Sequence, residues 1–159
     1  MQYSRLGNSG LLVSRLAFGA MTFGSAKGPM AAVAKLDQDG ADRLVRASLD
    51  AGINFWNTLD AYSGGQSESV LAPALGTLRK DVVIATKVCL PNRGCAGPRL
   101  SRHHILGSAE KRACGGFATD YIDLHLVRRV DPYTPIEDTL EAFNALVRQG
   151  KVRYIGRNR

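Results

Sequence analysis

Apolar runs begin near residues 53, 82, 122 and 152, at intervals of 29, 40 and 30 residues, and each interval holds one helical pattern. No other feature constrains the fold as tightly. Parallel strands cannot be joined by a tight turn. They need a crossover, normally a helix, and one strand–helix–strand unit takes about 30 residues or more. The runs "INFWN" (53–57), "DVVIATKV" (81–88), "DYIDLHLV" (120–127) and "KVRYIG" (151–156), with "RLAFGA" (15–20) ahead of them, are apolar almost throughout. Strands covered on both faces read this way. Helical patterns fill 37–52, 67–78, 101–113 and 134–150. The first puts Ala41, Leu44, Val45 and Leu49 on one face and stops at Gly52. Ser67 is the expected N-cap of the second, which Pro73 limits. Ser101 starts the third. In the last, Thr134 caps, Pro135 takes the first turn and Gly150 ends the helix. A hairpin over about 1–14 precedes all of this, two short segments flanking "GNSG". Five strands and four helices in this order form either a doubly wound sheet or a (β/α) barrel. There is no GxGxxG and no Walker loop, and the glycines of "GAMTFGS" lack the dinucleotide spacing.

The 159 residues suffice for one ordinary domain with a core. A composition of 45% apolar and 22% charged residues is that of a soluble globular chain. The net charge of +7 is spread along the sequence, and "KVRYIGRNR" is its only dense run. No basic stripe or nucleic-acid module is present, so nucleic acid is not an expected partner. Cys89, Cys95 and Cys114 form neither a CxxC pair nor an even set, which argues against a disulfide framework or zinc site. No metal-ligand spacing occurs among the histidines. His125 reads as a core side chain, His103 and His104 as exposed helix residues, and Asp60 as a loop residue. No h-region opens the chain and no run reaches about 18 apolar residues, so no membrane role and a cytoplasmic location are expected.

Both architectures place function at the carboxyl ends of the strands. Met21 and Thr22 follow the first strand. Asn57 ends the second, with Tyr62 just beyond. Lys87 ends the third, Arg128 and Arg129 the fourth, and Arg157, Asn158 and Arg159 the fifth. Tyr62 and Lys87 are the informative pair. A phenol ordinarily ionises near pH 10 and keeps its proton at neutral pH. A nearby ammonium stabilises the phenolate and so makes the phenol a better acid. Such a pair suits protonation of a carbonyl oxygen while hydride reaches the carbon. Asn57 also fits a strand-to-helix turn, where asparagine is favoured, and the two arginines also fit an exposed loop.

Six stretches carry a resemblance across nearly the whole chain: "YSRLGNSGLLVSRLAFGAMTFG", "AGINFWNTLDAYSGGQSE", "DVVIATKV", "LSRHHI", "TDYIDL" and "DPYTPIEDTLEAFNALVRQGKVRYIG". They resemble the N-terminal part of the aldo-keto reductases, in the branch that includes the voltage-gated potassium channel β subunits. The resemblance implies an α/β fold of the (β/α)8 TIM-barrel type, closed at the bottom by an N-terminal hairpin. It implies NADPH as cofactor, an aldehyde or ketone as the small-molecule carbonyl substrate, and a catalytic set of Asp, Tyr, Lys and His. The tyrosine falls on Tyr62 and the lysine on Lys87. The aspartate position holds Asn57 and the histidine position Arg128. Met21 and Thr22 match the loop against the nicotinamide and its ribose. Asn158 and Arg159 match the Ser-Asn or Ser-Arg pair that holds the carboxamide. Asn57 brings no negative charge, so Lys87 is held less firmly and its pKa should fall. Arg128 stays charged, and a second cation facing the ring disfavours the oxidised nicotinamide.

A TIM barrel typically takes about 250 residues. The resemblance therefore implies a partial barrel of five strands and four helices, one domain over 1–159. Its edge strands call for completion by a missing C-terminal half or by a second copy, unless the chain is a decayed, truncated product. "EKRACGGFATD" (110–120), with Gly115 and Gly116, departs from the family's longer helix. Three roles stay open at this point: a carbonyl reductase weakened by its altered positions, a cofactor-binding or interaction subunit with little turnover, and a non-functional homologue.

Overall fold

The computed structural model describes residues 1–25, 31–33, 35–59, 61–88, 100–112, 117 and 119–157. Among the described residues, seven strands and four α-helices follow one another in the expected order, a hairpin first and then strand and helix in alternation. Strands β1 (Tyr3–Arg5) and β2 (Leu12–Ser14) form the N-terminal hairpin, with Tyr3 opposite Ser14. The remaining strands are β3 (Phe18–Gly19), β4 (Phe55–Asn57), β5 (Val83–Val88), β6 (Ile122–Val127) and β7 (Val152–Arg157). They make one sheet in sequential order, parallel between β3 and β4, β4 and β5, and β6 and β7. Contacts divide the chain into two compact units, 1–85 and 86–159.

In the first unit, α1 (Gln38–Asp50) starts at Asp37, whose carboxylate accepts from the Gly40 N–H at 2.9 Å. This satisfies one of the orphan donors of the first turn. Ala41 and Val45 are fully buried, but Leu44 is 41% exposed and does not join them. Gly52, at φ +82°, reverses the chain into β4 as expected. Asn54 then ties the hairpin down. Its Oδ1 accepts from the Ser14 N–H at 2.7 Å, and its Nδ2 donates to the Leu12 carbonyl at 3.1 Å. The core holds Phe23, Trp56, Leu59, Leu71 and Ile84. Phe18 packs obliquely on Trp56, ring centroids 4.7 Å apart.

Two expectations fail here. The strand foreseen over 15–20 pairs only at Phe18 and Gly19, and the chain then coils into a 3-10 turn, Ala20–Thr22. Ser67 does not cap helix α2 (Gln66–Leu75). That helix begins one residue earlier, after Gly65 at φ +99°, and Ser67 lies inside it. The helix runs through Pro73 and stops at Gly76.

In the second unit, Ser101 caps α3 (Arg102–Lys111), accepting from the His104 N–H at 3.4 Å. Helix α4 (Ile136–Arg148) starts at Pro135, not Thr134. The Thr134 hydroxyl is taken by Asp131 instead, at 3.0 Å. Asp131 also accepts from the N–H groups of Leu100 and Tyr133, at 2.9 and 3.0 Å. One buried carboxylate thus holds the loop between β6 and α4. Ile105, Phe117, Ile122, Phe143 and Leu146 form the core. His103 is exposed as expected, but His104 is half-buried. Asp60, the three cysteines, Gly115, Gly116, Asn158 and Arg159 lie outside the described residues.

Candidate active site

Met21, Thr22, Asn57 and Tyr62 stand on one rim of the first unit. Gly19 and Asn57 are register partners at the carboxyl ends of parallel strands, so the residues that follow them emerge side by side. Met21 is 39% exposed and offers an apolar surface. Thr22 is half-buried, and its carbonyl accepts from the N–H groups of Lys35 and Leu36 at 3.1 and 3.2 Å. Asn57 and Tyr62 are both half-buried.

Tyr62 opens a one-turn 3-10 segment that contains a left-handed reversal. Ser63, Gly64 and Gly65 all have positive φ, at 52°, 66° and 99°. For the two glycines this conformation is nearly free; for Ser63 it costs about 1–2 kcal/mol. The Ser63 hydroxyl offsets part of that cost by donating to the Phe23 carbonyl at 3.0 Å. Ser67 donates to the Ala20 carbonyl at 2.6 Å and lies 3.2 Å from the Thr58 hydroxyl. Gln66 accepts from the Ser25 N–H at 2.9 Å. A Cβ on Gly24 would come within 2.9 Å of the Gln66 Cβ, so only glycine allows this approach. The loop after β3 and the start of α2 are therefore clamped together around Tyr62. Sequence reading missed Thr58, Ser63, Gln66 and Ser67 in this role. The available signal was "SGGQS": two glycines between hydroxyl residues mark a reversal whose hydroxyls have carbonyls to find.

In the second unit, Lys87 is the penultimate residue of β5 and only 5% exposed. Arg128 follows β6 directly, its backbone N–H donating to the Val88 carbonyl at 3.1 Å. Burial, and then repulsion from the Arg128 guanidinium, lower the Lys87 ammonium below its usual 10.5. The direction agrees with the expectation, although its causes are desolvation and Arg128. Arg128 is half-buried and Arg129 exposed.

Beneath them lies a group that the sequence did not flag. Arg112, at the end of α3, is 3% exposed. Its Nη2 donates to the Lys87 carbonyl at 3.0 Å, and its Nη1 meets His125 Nε2 at 2.9 Å. An arginine can only donate. His125 Nε2 is therefore the acceptor, and its proton sits on Nδ1. The imidazole is fully buried, edge-on to Phe143 at 5.1 Å. Desolvation and the Arg112 charge hold its pKa well below 6.5. His125 is a neutral core side chain, as expected, and also braces the arginine under Lys87. Among the described residues no cluster suits a metal ion.

The model of the Aldo/keto reductase family matches residues 15–157. The chain belongs to the aldo/keto reductase family. Among its relatives, the rice (Oryza sativa subsp. japonica) protein named probable voltage-gated potassium channel subunit beta is 37% identical over 98% of this chain and 46% of its own length. The versiconal hemiacetal acetate reductase of Aspergillus parasiticus is 34% identical over 98% of this chain and 50% of its own. Among solved structures, the holo form of aldo-keto reductase AKR11C1 from Bacillus halodurans superposes with a TM-score of 0.84 at 32% identity, covering 99% of this chain and 50% of that one. The chain thus spans about half the length of the relatives it matches. Of the two architectures open to the strand order, the barrel type holds, and a partial barrel with an N-terminal hairpin is what the described elements form.

Proposed function

We propose that this chain carries the carbonyl-reducing end of an aldo/keto reductase site, with NADPH as cofactor and an aldehyde or ketone as substrate. The observation that supports this most is Lys87, a lysine buried at a strand's carboxyl end with its ammonium destabilised. A solvated structural lysine would show neither property. In this reading Tyr62 protonates the carbonyl oxygen and Lys87 steadies the phenolate left behind. A destabilised ammonium shares its proton more readily in a hydrogen bond, so burial sharpens that role. Arg128 adds positive charge where the carbonyl oxygen becomes negative. Asn57, at the family's aspartate position, would bring a neutral amide where the family has a carboxylate.

The residues on the rim suit the nicotinamide end of the cofactor. Met21 presents an exposed apolar side chain, the clamped loop gives it a fixed backbone, and the chain's positive charge favours a phosphorylated ligand. Met21 and Thr22 would lie against the ring and its ribose, with Asn158 and Arg159 at the carboxamide. When bound, NADPH supplies the hydride.

The assay is reduction of 4-nitrobenzaldehyde followed through NADPH absorbance. Tyr62→Phe is expected to lower the rate about 10²- to 10⁴-fold, the usual worth of a general acid, while NADPH still quenches Trp56 fluorescence. An unchanged rate would remove Tyr62 from the mechanism. The substitutions at Asn57 and Arg128 favour a second reading, a subunit that binds the cofactor and turns over slowly. It predicts NADPH binding without measurable reduction, and a gain in kcat when Asn57→Asp and Arg128→His are combined. A chain that neither binds nor reduces would be the non-functional homologue.

A further inference from the structure

Arg112 stands where an arginine is not expected. It follows the last residue of α3, in the stretch where the sequence departs from its family, and yet it is buried. Taking a guanidinium out of water is costly unless its donors find acceptors. Here Nη2 donates to the Lys87 carbonyl at 3.0 Å and Nη1 to His125 Nε2 at 2.9 Å. Both acceptors are neutral, and they lie on different strands, β5 and β6. Lys87 stands near the carboxyl end of β5, and Arg128 follows β6 directly. All four residues belong to the second unit. The imidazole is itself held, fully buried and edge-on to Phe143 of α4. Burial and the Arg112 charge keep it neutral, so Nε2 stays an acceptor. The arginine therefore has one fixed anchor from which to hold the strand next to it.

We infer that Arg112 is a positioning residue for carbonyl reduction: its grip on the Lys87 carbonyl fixes the main chain from which the lysine side chain leaves, and so keeps the ammonium in its buried place. The inference rests on the role proposed for Lys87. Three features favour it over a brace that serves stability alone. The bond goes to the main chain of Lys87 itself, and the direction of a Cα–Cβ bond follows from the main chain that bears it. The guanidinium is planar and rigid, so bonds from its two end nitrogens set distance and angle together. An ammonium, a point charge on a flexible stem, would set neither. One residue on, the Val88 carbonyl accepts from the Arg128 N–H at 3.1 Å. Successive carbonyls at the end of β5 are thus held by α3 and by the residue after β6. Reacting groups need such support, because a displacement of about 1 Å can lower a rate about 10²-fold.

The test reads Lys87 directly. In the 159-residue chain with isotopically labelled lysine, the Lys87 Cε resonance is assigned by its loss in Lys87→Met and followed through an NMR pH titration. Arg112→Lys keeps the cation and loses the fork. His125→Leu removes the anchor, and His125→Gln replaces it with another acceptor. Arg128, the cation that bears on Lys87 from the end of β6, is present throughout. In Arg112→Lys and His125→Leu, Lys87 is expected to titrate at least about half a pH unit nearer its ordinary 10.5. In His125→Gln it should return to the parent value. With 4-nitrobenzaldehyde, kcat should fall about tenfold or more in the first two variants while the affinity for NADPH holds. In the parent, the Nη protons of Arg112 should be separately resolved, because the fork turns only when both bonds break. Three results would overturn the inference: Lys87 titrating as in the parent in both Arg112→Lys and His125→Leu, equal shifts in His125→Leu and His125→Gln, or averaged Nη protons in the parent. If Arg112→Lys does not melt cooperatively, the pair at His125 decides. A parent chain without turnover would remove the proposed activity, and the titration would still decide whether Arg112 places Lys87.

Discussion

Lys87 shows what a single environment does to a side chain. Burial and Arg128 both work against its positive charge. If Lys87 must be protonated to steady the phenolate, reduction should decline as pH rises through its lowered pKa, earlier than an ordinary lysine would allow. Arg128→Ala removes the lesser of the two causes. The alkaline limb of the kcat profile should then move to higher pH, part of the way only, because desolvation stays. A limb that does not move would separate Arg128 from Lys87. Ser63 gives a second prediction at this scale. Ser63→Ala keeps the strained backbone and loses the bond to Phe23, and should cost about 1 kcal/mol. Ser63→Gly loses the same bond but relieves the strain, so the two effects nearly cancel. Urea midpoints of the two variants decide this, and equal losses would mean that the backbone carries no strain.

Among the elements, Arg112 couples α3, β5 and β6 through contacts with Lys87 and His125. His125 accepts from a permanent cation, so protonating it would break the bond and set two charges together in the core. In the unfolded chain it takes up a proton near pH 6.5. The unfolded state therefore binds more protons as pH falls below 6.5, and stability drops by at most about 1.4 kcal/mol per pH unit from this group. His125→Gln keeps an acceptor without titrating. The loss of melting temperature from pH 7 to pH 5 should be smaller in this variant than in the parent. Equal losses would show that the imidazole is not held neutral. The order of these elements was legible because apolar runs and helical patterns depend on neighbours in sequence. Their terminal residues were less so. Thr134 and Ser67 have the chemistry of caps, but Asp131 and the Ala20 carbonyl, brought near by folding, compete for their hydroxyls. Tyr62, Lys87, Asn57 and Arg128 are proposed from the sequence because both architectures place function at the carboxyl ends of strands. Arg112 could not be found that way, because a charged residue at the end of a helix normally faces water.

For the chain as a whole, charge is the property that reaches beyond contacts. At +7 it should draw a phosphorylated cofactor from a distance, and salt should screen that attraction within a Debye length of about 10 Å at 0.1 M. NADPH affinity, read by Trp56 quenching, should fall several-fold between 20 and 300 mM NaCl. An affinity indifferent to salt would confine the electrostatics to the immediate binding groups. The left-handed run at Ser63, Gly64 and Gly65 has a consequence of its own. It is fixed by Phe23 and by the bare Cα of Gly24, both parts of the same unit. The freedom of the backbone that carries the phenol is thus given up once, when the chain folds, and does not have to be given up again each time a ligand arrives.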